Sequence, residues 1–124
     1  MSLTLFHGGN LEYLERVLSY GFNDNDRYGN GFGLTYGTGF YFTTDPEVAR
    51  CYSDTDTILK ITCVDNFYCI DHIAGYPTRK SQKKFDKLQR EVSCTFIGFK
   101  KRLNGEDEYI LFESNYIDSK CIVK

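Results

Sequence analysis

The spacing of apolar side chains changes several times along the chain, and each change marks a predicted element. Leu3–His7 has the composition and length of a β-strand. In Leu11–Tyr20 the leucines recur at helical spacing, which predicts an amphipathic helix. Asn10 precedes this helix as an N-cap, and Gly21 follows it in the left-handed position that often ends a helix.

Residues 37–52 combine a glycine turn, a short strand and a helix start, and the rest of the chain is predicted to be organised around them. Phe40–Thr43 is aromatic and β-branched, which favours a strand with Tyr41 on the face opposite its phenylalanine neighbours. Asp45 is placed to cap a following helix that carries Tyr52. The simplest interpretation is a core-packed corner with two incidental tyrosines. Alternatively, Tyr41 and Tyr52 face one cleft.

After residue 52 the pattern consists mostly of short strands. The predicted elements are strands at Thr57–Val64, Phe67–Ile70, Cys94–Phe99, Glu108–Glu113 and Lys120–Lys124, and a helix at Lys80–Val92. Asn104-Gly105 predicts a hairpin turn. Residues 22–37 and 72–78 predict loops, and the length of the first favours a functional role. Since there are no repeats or linkers, we interpret residues 1–124 as a single domain of the α+β class.

Cysteine usage and terminal composition indicate an intracellular protein. The five cysteines are an odd number without a C-x-x-C pair, which argues against a disulfide framework and a structural zinc site. The amino terminus lacks the features of a secretory signal, and no stretch is long enough to span a membrane. We therefore expect a soluble, cytoplasmic protein, and delivery into a host cell by a signal-independent route stays open.

Charge is unevenly distributed along the chain, whose net charge is −2. Residues 79–102 contain nine basic and two acidic residues, so this segment carries +7 and the remainder −9. A basic surface of this kind either docks an acidic partner or is simply the solvated face of a helix. Both interpretations stay open at this stage.

Three polar residues at the ends of predicted strands are candidates for chemistry: His7, Tyr41 and Glu108. Each has an ordinary explanation alone, because single histidines and strand-start glutamates are commonly structural or solvated. In order, however, they belong to a Phe-His-Gly motif at residues 6–8, a Gly-Phe-Tyr-Phe motif at 39–42 and an Asp-Glu-Tyr motif at 107–109. These motifs, with the eleven-residue gap from Tyr41 to Tyr52, resemble the His-Tyr-Glu branch of the ADP-ribosyltransferase superfamily. That branch holds the poly(ADP-ribose) polymerases and the diphtheria-toxin-like enzymes.

The resemblance extends over nearly the whole chain and implies both a fold and a reaction. The implied fold has two small antiparallel sheets with flanking helices and an NAD cleft between them. The implied reaction transfers ADP-ribose from NAD, as co-substrate, to a macromolecular acceptor and releases nicotinamide without a metal. Transfer of a single unit is favoured over polymer growth, because a 124-residue domain has little room for a chain-holding site.

The resemblance also implies a role for each motif residue. His7 is expected to hydrogen-bond a ribose hydroxyl of NAD, and the Gly8 backbone to hold the nicotinamide amide. Tyr41 and Tyr52 are expected to stack on the two faces of the nicotinamide ring. Glu108 is expected to bond the nicotinamide ribose and to stabilise the cationic sugar that forms as nicotinamide leaves.

Two positions depart from the family pattern. Gly9 stands where the family often has serine or threonine, and Ala49, in the cofactor-binding segment, stands where polymerase-like members have serine. Alanine at this position resembles the toxin side of the branch, and both changes bear on nicotinamide affinity more than on the chemistry. Glu113 is the competing carboxylate, but strand alternation predicts that it lies on the face opposite Glu108.

Two other functions stay open. One is hydrolysis of NAD with water as the acceptor, and the other is a catalytically silent module that binds NAD or ADP-ribose within a larger assembly. For a transferase, a protein acceptor is favoured over a nucleic acid, and the basic segment 79–102 is a candidate docking surface. The residues do not specify an oligomeric state.

Overall fold

A computed structural model describes residues 1–27, 37–70, 79–103 and 106–124, and only the backbone of residues 79–82, 102, 103 and 106. The hairpin turn predicted at Asn104-Gly105, the loop predicted at 72–78 and most of the loop predicted at 22–37 lie outside the described residues.

Three helices and seven strands account for most of the described chain. The strands are β1 (Ser2–His7), β2 (Phe40–Thr43), β3 (Ile58–Val64), β4 (Phe67–Cys69), β5 (Gly98–Leu103), β6 (Glu106–Leu111) and β7 (Ile117–Val123). The helices are α1 (Leu11–Tyr20), α2 (Pro46–Arg50) and α3 (Arg79–Val92), and short 3₁₀ turns occupy Asp24–Asp26 and Ser114–Tyr116. The α+β class is therefore confirmed. Within the described ranges, no helix is long and apolar enough to cross a membrane.

Helix starts follow the capping residues closely. The Asn10 side chain accepts a hydrogen bond from the Tyr13 N–H, and Asp45 accepts one from the Glu47 N–H. Gly21 follows α1 with φ +81° and ψ 177°, so it has the predicted positive φ but an extended ψ rather than the left-handed helical conformation. Its N–H donates to the carbonyl of Val17 at 2.8 Å and closes the last turn.

Several predicted boundaries are wrong. Strand β5 begins at Gly98 rather than Cys94, because the amides of Thr95 and Phe96 both donate to the carbonyl of Val92 and prolong the turn after α3. Strand β7 begins at Ile117 rather than at Lys120, and β6 covers Glu106–Leu111 rather than Glu108–Glu113.

The seven strands form one sheet in the order β4-β5-β6-β2-β1-β3-β7, whereas two separate small sheets were predicted. All neighbouring strands are antiparallel except β4 and β5, which pair in parallel, so the prediction of purely antiparallel sheets is also wrong. The junction in the middle is narrow, because β1 and β2 are in register at one pair, Phe6 with Thr43. We call this junction the seam; it joins a β7-β3-β1 half to a β2-β6-β5-β4 half.

The sheet must fold over at the seam. Strands β3 and β4 are five strand positions apart, which is about 24 Å in a flat sheet. Only Asp65 and Asn66 separate them in sequence, and three Cα–Cα steps reach at most about 11 Å. The two halves therefore face each other, and Asn66 helps to hold β4 in place by accepting from the Ile97 N–H at 3.0 Å and donating to the Thr95 carbonyl at 2.8 Å.

The core lies in two layers, one on each face of the β2-β6-β5-β4 half. The first cluster fills the space between the two halves and under α1, and its buried members are Leu5, Leu14, Val17, Phe40, Phe42, Leu59, Ile61, Cys63, Ile97, Tyr109 and Leu111. The second lies on the other face under α3, with Ile70, Phe85, Phe99, Ile110 and Phe112 as its buried members. Helix α3 is thus held to the sheet mainly through Phe85, whose ring packs edge-on against Phe99 at 5.8 Å between centroids.

Because Phe85 is fully buried in the second cluster, we expect Phe85→Ala to lower the free energy of unfolding by about 3–5 kcal/mol. Urea denaturation measures the change. The exposed neighbour Lys84 provides the matched control, and Lys84→Ala is expected to change stability by about 0.5 kcal/mol or less. Equal effects of the two substitutions would show that α3 does not pack on the sheet as described.

Candidate functional site

His7 ends β1 at the seam and is held there by both of its ring nitrogens. Its side chain is only 6% exposed. Nδ1 lies 2.7 Å from the Tyr41 carbonyl oxygen and Nε2 lies 2.7 Å from the Tyr13 hydroxyl. The rings of Phe22 and Phe42 surround the imidazole at centroid distances of 5.5 and 5.3 Å. The imidazole therefore continues the link between β1 and β2 one step beyond the Phe6–Thr43 pair.

The surroundings of His7 favour a neutral ring with one defined tautomer. Burial lowers the pKa of His7 below its ordinary 6.5, while the bond to the Tyr41 carbonyl and the negative charge of Asp26 oppose this by smaller amounts. A carbonyl oxygen can only accept, so Nδ1 is assigned the proton and donates to Tyr41. Nε2 is then the acceptor, and the Tyr13 hydroxyl donates to it.

Gly8 follows His7 and lies directly against the end of α2. A Cβ at Gly8 would lie 2.0 Å from the Ala49 carbonyl oxygen and 2.9 Å from the Tyr52 Cβ. Glycine is therefore required at this position, because the end of α2 leaves no room for a side chain. Tyr52 lies in the turn after α2 with its side chain 75% exposed, and Ala49 is buried.

Tyr41 lies in the middle of β2, on the face of the second cluster. Its half-buried ring packs against that cluster, and its hydroxyl donates to the Gly37 carbonyl at 2.6 Å. The same segment is tied to α3, since the Thr38 N–H donates to the Asp86 carboxylate at 2.8 Å. The predicted alternation of β2 is confirmed: Phe40 and Phe42 belong to the first cluster and Tyr41 contacts the second.

Glu108 lies on β6 and shares a sheet face with Tyr41. It is half-buried and stands opposite Thr43 of β2 and Lys101 of β5 in the ladder. Ile110, two residues on, belongs to the second cluster, as the predicted alternation requires. The competing carboxylate, Glu113, lies beyond the end of β6 and forms an ion pair with Arg27.

The structure thus brings the three motifs onto three consecutive strands, β1, β2 and β6. Tyr41 and Glu108 project from the same face. By alternation His7 projects from the other face, toward the first cluster, and meets Tyr41 through the latter's backbone rather than its ring. Gly8, Ala49 and Tyr52 form a contiguous group beside the end of β1.

Sequence reasoning missed three residues that shape this region. Tyr13 bonds His7, Thr43 stands opposite Glu108 with its hydroxyl accepting from the Asp45 N–H at 3.1 Å, and Lys101 flanks Glu108 from β5. Thr43 could have been found, since it lies two positions after Tyr41 on the same strand face. No sequence signal marks Tyr13, because its contact arises from the angle between α1 and the sheet.

The cysteines and acidic residues do not assemble into a metal site within the described ranges: no group of three or more histidine, cysteine, aspartate or glutamate side chains is close enough to hold an ion. All five cysteines are free thiols. Cys63 is the buried one, and burial raises its pKa to about 11, which keeps it protonated and unreactive.

Comparison with known proteins adds no relative: no protein-family model matches this chain, and no curated protein matches it.

The lowered pKa of His7 predicts a specific pH dependence of stability. Below about pH 6.5 the unfolded chain binds a proton at this residue that the folded chain binds less readily, so the free energy of unfolding should decrease as the pH falls from 7 to 5. The limiting slope for one proton is about 1.4 kcal/mol per pH unit. His7→Gln keeps an amide donor and a carbonyl acceptor but cannot titrate, so its pH profile should be flatter. Parallel denaturation profiles of the two proteins would contradict the assignment of a neutral His7.

Proposed function

We propose that this protein transfers ADP-ribose from NAD to a macromolecular acceptor and releases nicotinamide, as a mono-ADP-ribosyltransferase. The observation that carries the proposal is the order of the motifs in space. His7-Gly8, Tyr41 and Glu108, far apart in sequence, occupy the three neighbouring strands β1, β2 and β6 at the seam.

Glu108 is the proposed catalytic residue. When the bond between nicotinamide and ribose breaks, the sugar acquires positive charge, and a fixed carboxylate stabilises that charge more than it stabilises the substrate. The half-buried position of Glu108 supports this role, because partial exclusion of water strengthens the interaction. Lys101 and Thr43 stand opposite it on the two neighbouring strands.

The aromatic residues and glycines of the seam suit a pyridine ring. Tyr52 is exposed beside Gly8 and is free of a packing role that would prevent stacking, while the Tyr41 hydroxyl is bonded to Gly37 and its ring is held against the second cluster. One exposed and one half-buried ring are a workable pair for a bound nicotinamide. Gly8 lies against the Ala49 carbonyl and the Cβ of Tyr52.

Glu108→Gln tests the proposal most directly. The amide preserves the shape of the carboxylate and removes its charge, so nicotinamide release should fall about 10²–10³-fold while NAD binding is largely retained. The rate is followed as nicotinamide released from NAD, and binding is followed by calorimetry. Glu113→Gln is the matched control; it breaks only an ion pair with Arg27 whose glutamate is largely exposed, so turnover should stay close to that of the unchanged protein.

The same assay separates the proposed function from the alternatives. Labelled ADP-ribose that stays attached to a protein fraction supports a transferase, whereas free ADP-ribose in equal amount to nicotinamide indicates an NAD glycohydrolase. NAD binding without turnover indicates a silent module. If Glu113→Gln abolishes turnover and Glu108→Gln does not, the catalytic assignment is wrong.

We further propose that helix α3 docks an acidic surface of a protein acceptor. Its exposed side includes Lys83, Lys84, Lys87 and Arg90, which we call the cationic stripe. No ion pair joins these four side chains to any acidic group in the part of the chain that is described. The acidic residue between them, Asp86, is turned toward the Thr38 N–H instead, which places the helix beside the segment that leads into β2.

Charge reversal in the cationic stripe should weaken acceptor modification without changing the chemistry. We expect Lys87→Glu to lower protein labelling several-fold at low salt, with the difference closing as salt screens the interaction, while nicotinamide release in the absence of acceptor is unchanged. Lys124→Glu, at the exposed carboxyl end, changes the net charge equally and should have little effect. Equal labelling by both variants at low salt would exclude docking through the stripe.

A further inference from the structure

The Tyr13 hydroxyl is hydrogen-bonded to Nε2 of His7, which is the one nitrogen of that ring able to accept a hydrogen bond from a ligand. Nδ1 is committed to the Tyr41 carbonyl, so Nε2 is the remaining acceptor, and the Tyr13 hydroxyl lies 2.7 Å from it. With the imidazole only 6% exposed, a ligand hydroxyl can bond Nε2 only by replacing the hydroxyl of Tyr13. A sugar hydroxyl and a phenol hydroxyl are equivalent donors to this nitrogen.

The position of the Tyr13 ring is determined by its neighbours. The ring lies across Gly9, where a Cβ would come within 2.6 Å of Cδ2 and 3.0 Å of Cε2. The backbone of Tyr13 is held at the start of α1, since its N–H donates to the Asn10 side chain at 2.7 Å. The absence of a side chain at Gly9 is therefore what allows the ring to reach His7.

Tyr13 also connects His7 to a part-buried ion pair. The Arg16 guanidinium lies 5.3 Å from the centre of the Tyr13 ring and forms an ion pair with Asp26 at 2.6 Å. The Tyr13 side chain is also partly buried and packs against the first cluster. Opening Nε2 therefore requires this side chain to rotate about its own bonds out of these contacts.

We propose that the Tyr13 hydroxyl is an internal occupant of the ligand position on His7, and that it is exchanged for a ribose hydroxyl when NAD binds. This inference rests on the proposed function, because that function supplies the ribose. Tyr13 acts through His7 and is a positioning residue that sets NAD affinity. In the free protein the Tyr13 hydroxyl donates a hydrogen bond to Nε2 of His7. In the complex a ribose hydroxyl donates to Nε2 instead.

Tyr13→Phe is the decisive variant, because it keeps the ring on Gly9 and removes only the hydroxyl. The bond between Tyr13 and His7 no longer has to be broken on binding, so the dissociation constant for NAD should decrease about two- to tenfold. Tyr20→Phe provides the matched control on the same helix; that side chain is 86% exposed, and its substitution should leave NAD affinity unchanged. A purely structural role of Tyr13 predicts no gain in affinity.

A second measurement does not depend on NAD. Diethyl pyrocarbonate acylates an accessible, unprotonated imidazole nitrogen, and peptide mapping distinguishes His7 from His72, the other histidine. Modification of His7 should be faster in Tyr13→Phe than in the unchanged protein or in Tyr20→Phe. An equal rate of modification in all three proteins would overturn the inference regardless of the NAD-binding result, because the hydroxyl would not be covering Nε2.

The remaining outcomes separate the two proposals. If the unchanged protein binds NAD and Tyr13→Phe binds it equally or more weakly, the exchange is overturned while the proposed function stands; weaker binding would mean that Tyr13 contacts the ligand itself. If none of the three proteins binds NAD, both the proposed function and the exchange are overturned. Tighter binding together with faster modification is the result that supports the inference.

Discussion

The double hydrogen bond of His7 is the contact on which the arrangement of this protein depends. The two half-sheets are in register at a single residue pair, and the imidazole extends their link by donating to the Tyr41 carbonyl. Its other nitrogen ties α1 to the same point through Tyr13. Burial disfavours the charged form of the imidazole and lowers the pKa of His7, although the bond to the Tyr41 carbonyl opposes this, so the seam becomes sensitive to protonation.

The order of the strands explains why the distant motifs lie side by side, and the fold-over of the sheet explains where the first cluster lies. Two residues connect β3 to β4 across five strand positions, and this constraint turns one half of the sheet over the other. The first cluster fills the space that results, while the strands that carry His7, Tyr41 and Glu108 are neighbours because they pair directly. The junction between β1 and β2, with one pair in register, holds the two halves together less firmly than a fully paired ladder does.

Local signals in the sequence predicted much of the secondary structure but little of how the strands pair with one another. The start of α1 at Leu11, the cap at Asp45 and the faces of β2 all followed from side chains within a few positions of each other. The parallel partner of β4 did not, because it depends on contacts between Asn66 and residues some thirty positions further on; the start of β5 was misjudged because the turn after α3 continues to Phe96, whose N–H donates to the Val92 carbonyl. For the site, alternation correctly placed Tyr41 on the face opposite its phenylalanine neighbours, whereas the face that Tyr41 shares with Glu108 and the place of His7 on the other face were not foreseen.

By itself, the sequence determined the α+β class and the capped helices, because these rest on the composition and spacing of nearby residues. Only the tertiary structure decided that the strands form one folded sheet, that Gly8 is required by the Ala49 carbonyl, and that Tyr13 covers His7. The physical reason is that local propensity acts through the backbone of a few residues. Contacts across a seam depend instead on how whole elements pack, and no short segment encodes that by itself.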